Sequence, residues 1–393
     1  MSQDFDVIVA GAGIHGVGVA QAAAAAGHSV LVLEQQAIAA GSSSRSSKLV
    51  HGGLRYLESG QFRLVRESLH ERALMLRLAP ELVRLQNFYI PIYEHSRRRP
   101  WQLRIGLSIY AALAGLDAAA RFGTVPRSAW GQLDGLDTRG LQQVFRYHDA
   151  QTDDALLTEA VMRSAESLGA RLELPARCTG ATLTNDGAQV RYQSGGQERE
   201  CRTRVFINAA GPWAAALAHT VTPAVAVPAL ELVQGTHLLL DGPPQAGVYY
   251  LESPRDGRAI FVMPWRGQML LGTTEVRFHG DPAKVAPGAH EIHYLLGVLH
   301  HYFPRYRDVS AAQVRGAFAG LRVLPARGGH AFHRSRETLL DTDRERRPRL
   351  LTIYGGKLTT WRAVAARIME RIASSLPQRR ALARTDQLEL HPS

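Results

Sequence analysis

The stretch DVIVAGAGIHGVGVAQAAAAAGHSVLVLEQ, beginning at Asp6, constrains the fold more than any other part of the chain. An apolar β-branched run (Val7 to Ala10) leads into Gly11, Gly13 and Gly16, an alanine-rich helical segment comes next, and a second apolar run (Val30 to Leu33) ends in Glu34 and Gln35. Each glycine has a mechanical task. Gly11 permits the tight turn, Gly13 lets a pyrophosphate approach the backbone, and Gly16 lets the helix pack closely on the strand. The first helical turn, from Ala12 to Ile14, then offers free N–H groups and the positive end of a dipole to an anion, while Glu34 suits the adenosine ribose. Strand, glycines, helix, strand and acid in that order predict a Rossmann-type unit holding an adenine dinucleotide.

NAD and FAD both use such a unit, and position favours FAD. The unit starts at residue 4, and it leads not into another βα repeat but into SSSRSSKLVHGGLRYLESG, residues 42–60, a polar loop of the kind flavoproteins lay along their cofactor. Two distant segments repeat the small-residue theme: VFINAAGPWA, with Ala209, Ala210, Gly211 and Trp213, and IYGGKLTTWR, with Gly355, Gly356, Lys357, Leu358 and Thr359. Three such contacts from separate parts of the chain suit one long buried ligand.

At 393 residues and 45% hydrophobic content the chain is long enough for two domains. Residues 151–170 read as an amphipathic helix, and 171–204 as short strands turning at Asn185–Gly187 and Ser194–Gln197. From 223 to 325 strand-rich segments predict an antiparallel sheet with a helix at 288–303. The expected class is α/β, α+β overall: a discontinuous FAD-binding domain (1–75, 145–222, 326–393) with an inserted antiparallel-sheet substrate domain (76–144, 223–325). Cys178 and Cys201 are too few for a disulfide framework and lack metal-ligand spacing, so we expect inert buried thiols, no metal and a reducing cytoplasm. The N-terminus has neither a basic leader nor an apolar run of spanning length. A formal charge of +11 favours anionic partners.

SSKLVHGGLRYLESGQFRLVRESLHER, FVMPWRGQMLLGTTEV, AGLRVLP and YGGKLTTWR, in that order, closely resemble the FAD-dependent glycerol-3-phosphate dehydrogenases of the D-amino-acid-oxidase-like superfamily, over roughly residues 4 to 370. The resemblance implies oxidation of sn-glycerol 3-phosphate to dihydroxyacetone phosphate, with hydride passing to flavin N5 and electrons to a quinone. It also implies a peripheral enzyme on the inner face of the cytoplasmic membrane, with no nucleic-acid partner. Family members usually continue into a helical C-terminal domain that this sequence does not show.

A phosphate ester calls for arginines, whose planar forks match two phosphate oxygens and stay charged. Matched motif by motif, the substrate residues are Arg55 and Tyr56 in GGLRYL, Arg322 in AGLRVLP, Arg336 in SRETLLD and Lys357 in GGKLTT. Ser42, Ser43, Ser46, Ser47 and Lys48 would run along the flavin and its phosphates, while His51, Gly52 and Gly53 would pass the isoalloxazine. His51 and His237 are the candidate proton acceptors. Residues 97–116, RRRPWQLRIGLSIYAALAGL, place Trp101, Ile105, Ile109, Ala112, Leu113 and Leu116 at helical spacing after a basic start, as on an anionic bilayer or an inward-packed domain helix. Two alternatives stand beside the leading one. One is a soluble FAD oxidase or dehydrogenase for another anionic hydroxy or amino compound; the other is a non-catalytic flavin-binding module.

Overall fold

Val7, Ile8 and Val9 carry no side-chain polar group to satisfy, and the strand they form, Asp4–Ala10, is covered on both faces. The computed structural model describes residues 4–115, 117–326 and 338–392. Asp4–Ala10 runs parallel to Val30–Leu33 on one side and to the end of the long strand Gln197–Asn208 on the other. Arg171–Glu173 and Leu350–Tyr354 extend this parallel set outward. The other half of Gln197–Asn208 belongs to an antiparallel meander with Ala176–Leu183 and Ala188–Ser194, turning where the sequence places its two turns. One strand therefore joins the meander to the nucleotide-binding sheet.

Among the described residues the α-helices are α1 (Ile14–Ala25), α2 (Phe62–Leu78), α3 (Pro100–Leu113), α4 (Asp154–Ser167), α5 (Ala214–Ala218), α6 (Ala289–Tyr302) and α7 (Trp361–Ile372). Small residues let α1 lie close to its neighbours. Gln21 Nε2 donates to Ser164 Oγ of α4 at 2.8 Å, and a Cβ at Gly18 would stand 2.7 Å from the Trp361 ring of α7. Asp153 caps α4 by accepting from the backbone N–H groups of Ala155 and Leu156 at 3.1 and 3.2 Å.

The second sheet is built on the long strands Val83–Tyr93, Leu141–Thr152 and Leu230–Leu240. Alternation along Val83–Tyr93 sends Phe88, Ile90 and Ile92 toward α2 and α3, and Tyr89 and Tyr93 toward α6. The sheet is antiparallel except where Val248–Glu252 lies parallel to Val83–Tyr93. No hairpin links those two, and the long intervening chain supplies the crossover that a parallel pair needs. Leu49–Val50 and all of Leu141–Thr152 belong to this sheet, so the 144/145 boundary expected from sequence falls inside a strand, and 75/76 falls inside α2. Cys201 is buried and Cys178 only half-buried, though burial pushes the Cys178 thiol up to about 12.

On α3 the inward residues are Leu103, Leu107, Tyr110 and Ala111. Trp101 and Ile105 stand 63% and 52% exposed on the opposite side, with Ile109 and Leu113 half-buried between. The helix ends at Leu113, and Leu116 lies outside the described residues. No helix among the described residues is long and apolar enough to cross a membrane.

Candidate active site

At the end of Asp4–Ala10 the chain turns through Gly11 with φ +104°, and a Cβ there would lie 2.7 Å from the Ala209 carbonyl oxygen. A Cβ on Gly16 would lie 1.9 Å from the Gly11 carbonyl oxygen, so both positions require glycine for close approach. Glu34 is held at the end of the second strand, its Oε2 accepting from Ala12 N at 2.8 Å and its Oε1 from Gln36 N at 2.9 Å. Gln35 beside it is exposed. Ile14 N donates to Ser43 Oγ at 2.9 Å, and a Cβ on Gly13 would come within 3.1 Å of the same hydroxyl. A fixed carboxylate for a ribose and backbone too crowded for Cβ atoms fit an adenine dinucleotide, while the Ala12 and Ile14 N–H groups expected to be free are held by Glu34 and Ser43.

The serine-rich loop lies where the two sheets meet, and its side chains bond to both units. Ser42 Oγ donates to Leu321 O at 2.6 Å, Ser46 N donates to Asp154 Oδ2 at 2.9 Å, and Ser47 Oγ lies 2.9 Å from His237 Nε2. The Lys48 ammonium is held by partners within the protein. Its Nζ donates to Asp154 Oδ1 and to Ser44 O, each at 2.6 Å, in a buried pair beneath the Trp265 and Phe318 rings. That lysine anchors the loop to the start of α4. His51 N donates to Thr359 Oγ1 at 3.2 Å, which ties the loop to the Gly355–Thr359 turn. Trp213 packs against Gly41 and the Ala209–Gly211 bend closes the other side, with Ala209 N donating to Ala10 O at 2.9 Å.

Next to Gly53 opens a cavity. Its wall brings together Ser47, His51, Arg55 and Arg322 from the sequence-derived set. Tyr56 lies between Arg55 and Lys357, its ring 5.1 Å from the Arg55 guanidinium and 3.7 Å from Lys357 Nζ. Arg336 lies outside the described residues. His237 is one hydroxyl removed from the cavity, 1% exposed, stacked on Phe318 with centroids 4.9 Å apart.

Burial, and then the positive charges of Arg322 and Lys48, hold His237 well below the ordinary imidazole value of 6.5, so it is neutral at pH 7. Burial and then Arg367 lower His15 to about 4. The unfolded chain binds both protons more readily than the fold does. Stability should therefore decline as pH falls below about 6.5, by about 1.4 kcal/mol per pH unit for each such proton taken up on unfolding. Chemical denaturation between pH 7 and pH 5 checks this. His237→Gln should flatten the slope by about one proton; an unchanged slope would show that His237 already titrates normally in the fold.

Sequence reasoning missed several groups at this site. Glu275 lines the cavity and pairs with Arg322 at 2.9 Å and with Arg258, also in the wall, at 3.6 Å. Beneath the glycine pair, buried Asp149 accepts from Arg72 at 2.7 Å, from Tyr110 at 2.7 Å and from Gly52 N at 3.3 Å. A Cβ on Gly52 would lie 2.3 Å from the Tyr110 hydroxyl. The available signal for Glu275 was an acid directly after the apolar run QMLLGTT; Arg258, in RDGR, reads as a solvated turn.

The family model for FAD dependent oxidoreductases (DAO) matches residues 6–371. The chain is 35% identical over 380 residues to D-erythritol 1-phosphate dehydrogenase from Brucella abortus, covering 95% of this chain and 74% of that one. It is 35% identical over 372 residues to glycerol-3-phosphate dehydrogenase from Pseudomonas aeruginosa, covering 93% and 71%. Among solved structures, glycerol-3-phosphate dehydrogenase from Bacillus halodurans complexed with FAD superposes with a TM-score of 0.76, covering 99% of this chain and 68% of that one. At 24% identity that likeness is one of fold.

Proposed function

The chain belongs to the DAO family of FAD-dependent oxidoreductases, with FAD as its cofactor, and from that premise we propose that it oxidises sn-glycerol 3-phosphate to dihydroxyacetone phosphate and passes the electrons to a quinone. The observation that carries the reading is the cavity beside Gly53, walled by Arg55, Arg258 and Arg322. Bound FAD supplies the hydride acceptor, flavin N5. The chain's own residues bind, orient and take a proton. The arginine forks hold the phosphate, with Arg336 assigned to the same task by its motif. Tyr56 packs between Arg55 and Lys357. His51 in the wall, or neutral His237 acting through the Ser47 hydroxyl, accepts the alcohol proton.

Anaerobic mixing of the purified flavoprotein with a panel of phosphorylated polyols, glycerol and amino acids tests this. Glycerol 3-phosphate should bleach the flavin, and glycerol should do so far less well. The Brucella relative's name supports a second reading, a four-carbon polyol phosphate. Bleaching by erythritol phosphate alone would install it, and bleaching by an amino acid alone would sink both.

For the acceptor and location, the exposed Trp101 and Ile105 beside Arg97, Arg99 and Arg104 support docking of α3 on an anionic bilayer. Quinone reduction should rise with acidic vesicles, each basic residue near the surface adding about 1 kcal/mol. Trp101→Ala should weaken co-sedimentation. Equal partitioning of both proteins would favour a dye-linked or oxidase role away from lipid.

A further inference from the structure

Glu275 is a buried carboxylate in a wall otherwise built for anions. Its side chain is 3% exposed, and it lies against Arg322 at 2.9 Å and Arg258 at 3.6 Å. The neighbouring chain fixes it there. Thr274 Oγ1 accepts from Thr236 N at 2.8 Å, and the Thr274 hydroxyl bonds to buried Glu291 of α6. Gly235 makes the room, since a Cβ there would lie 2.6 Å from Thr273 Oγ1 and 2.9 Å from Arg322 Nη2.

We propose that Glu275 is an internal competitor for the phosphate: it occupies Arg322 and Arg258 when the cavity holds no substrate, and shares them with a phosphate dianion when it does. This rests on the phosphate reading above. Among the described lining residues three arginines stand against one carboxylate, a surplus of positive charge that suits a phosphate monoester carrying about −1.5 to −2 at pH 7. A carboxylate monoanion gains too little to displace Glu275 from a guanidinium, whereas a dianion gains more from the same fork. With no competitor the wall would carry one further net positive charge, bind any small anion more tightly and release the phosphorylated product more slowly. Glu275 thus acts on substrate affinity and product release through the arginines.

The test uses the FAD-loaded enzyme and inorganic phosphate, monitored by the perturbation of flavin absorbance, with steady-state and single-turnover kinetics alongside. Glu275→Gln should bind phosphate about tenfold more tightly. It should lower KM and kcat for glycerol 3-phosphate together, leave the single-turnover rate of flavin reduction near wild type, and make acetate a detectable competitor. Glu275→Asp keeps the charge with a shorter reach and should fall between the two. Unchanged or weaker phosphate binding by a flavin-replete Gln variant overturns the proposal. So does a Gln variant that loses flavin beside an Asp variant identical to wild type, the pattern of a purely structural acid. If wild-type enzyme neither binds phosphate nor is reduced by any phosphorylated polyol, the phosphate reading falls first and takes this one with it.

Discussion

Replacing Arg322 with alanine should leave a yellow, folded protein whose kcat/KM for glycerol 3-phosphate has dropped by roughly 30-fold to 1000-fold. That range corresponds to about 2 to 4 kcal/mol, the cost of losing a charge-assisted contact to a bound dianion. Arg322 is 24% exposed at the cavity wall, so its charge is poorly replaced by water. Truncation also takes away a partner of Glu275, whose carboxylate then repels the incoming phosphate, which pushes the loss toward the upper end. The flavin should stay in place. The strand Gly316–Pro325 meets the cofactor loop through the Leu321 carbonyl that Ser42 donates to, a backbone contact the substitution does not touch. Arg322→Lys keeps the charge without the fork and should fall between. Unphosphorylated glycerol separates recognition from damage, because its oxidation never used the contact. Equal losses on glycerol and glycerol 3-phosphate would sink the assignment.

The nucleotide-binding half was legible from sequence because its constraints are local. Gly11, Gly16, Glu34 and the two apolar strands lie within thirty residues, and each has one steric or hydrogen-bonding reason to be there. The meander turns and α4 were legible for the same reason: an NDG turn and an Asp153 cap act over a few residues. Partnerships across the chain were not. Lys48 looks like a phosphate ligand in a serine-rich loop, and only the fold brings Asp154 to its ammonium. His237 looks like a catalytic histidine within an apolar strand, and only the fold brings the Ser47 hydroxyl to it. Glu275 lies in the FVMPWRGQMLLGTTEV motif and Arg258 precedes it, but neither position announces a role, since their meaning comes from Arg322, which stands on a strand two places across the sheet from the Gln268–Gly272 strand that precedes Glu275. Asp149 sits in a strand whose alternation identifies a buried position but not the Arg72 and Tyr110 that make a buried acid tolerable.

The largest effect on the cofactor should come from Gly16→Val, more than from any change at Gly13. At Gly13 a new Cβ meets the Ser43 hydroxyl at 3.1 Å, and a side chain can rotate away. At Gly16 the Cβ meets the Gly11 carbonyl oxygen at 1.9 Å and the Ala209 methyl at 3.2 Å, and the backbone there has nowhere to go. Gly11 N donates to Leu33 O at 2.8 Å, and Gly11 is itself pressed against Ala209, so the turn is held from both sides. Valine must therefore lift the start of α1 off the sheet. Overpacking of this kind costs about 1 to 3 kcal/mol of stability. The loss in FAD affinity should be greater, because a displaced helix start would no longer present its positive end to a bound pyrophosphate. Two charge-assisted hydrogen bonds at about 1.5 to 3 kcal/mol each amount to roughly two to four orders of magnitude in affinity. The purified variant should be colourless and should regain little flavin on incubation with FAD. Gly106→Ala is the matched control: it lies within α3 with nothing near its added Cβ, so it should keep full flavin and gain about 0.5 to 1 kcal/mol from the better helix former. A Gly16→Val protein that stayed fully yellow would mean that the dinucleotide does not lie against the start of α1, and the placement of every loop residue along it would fall as well.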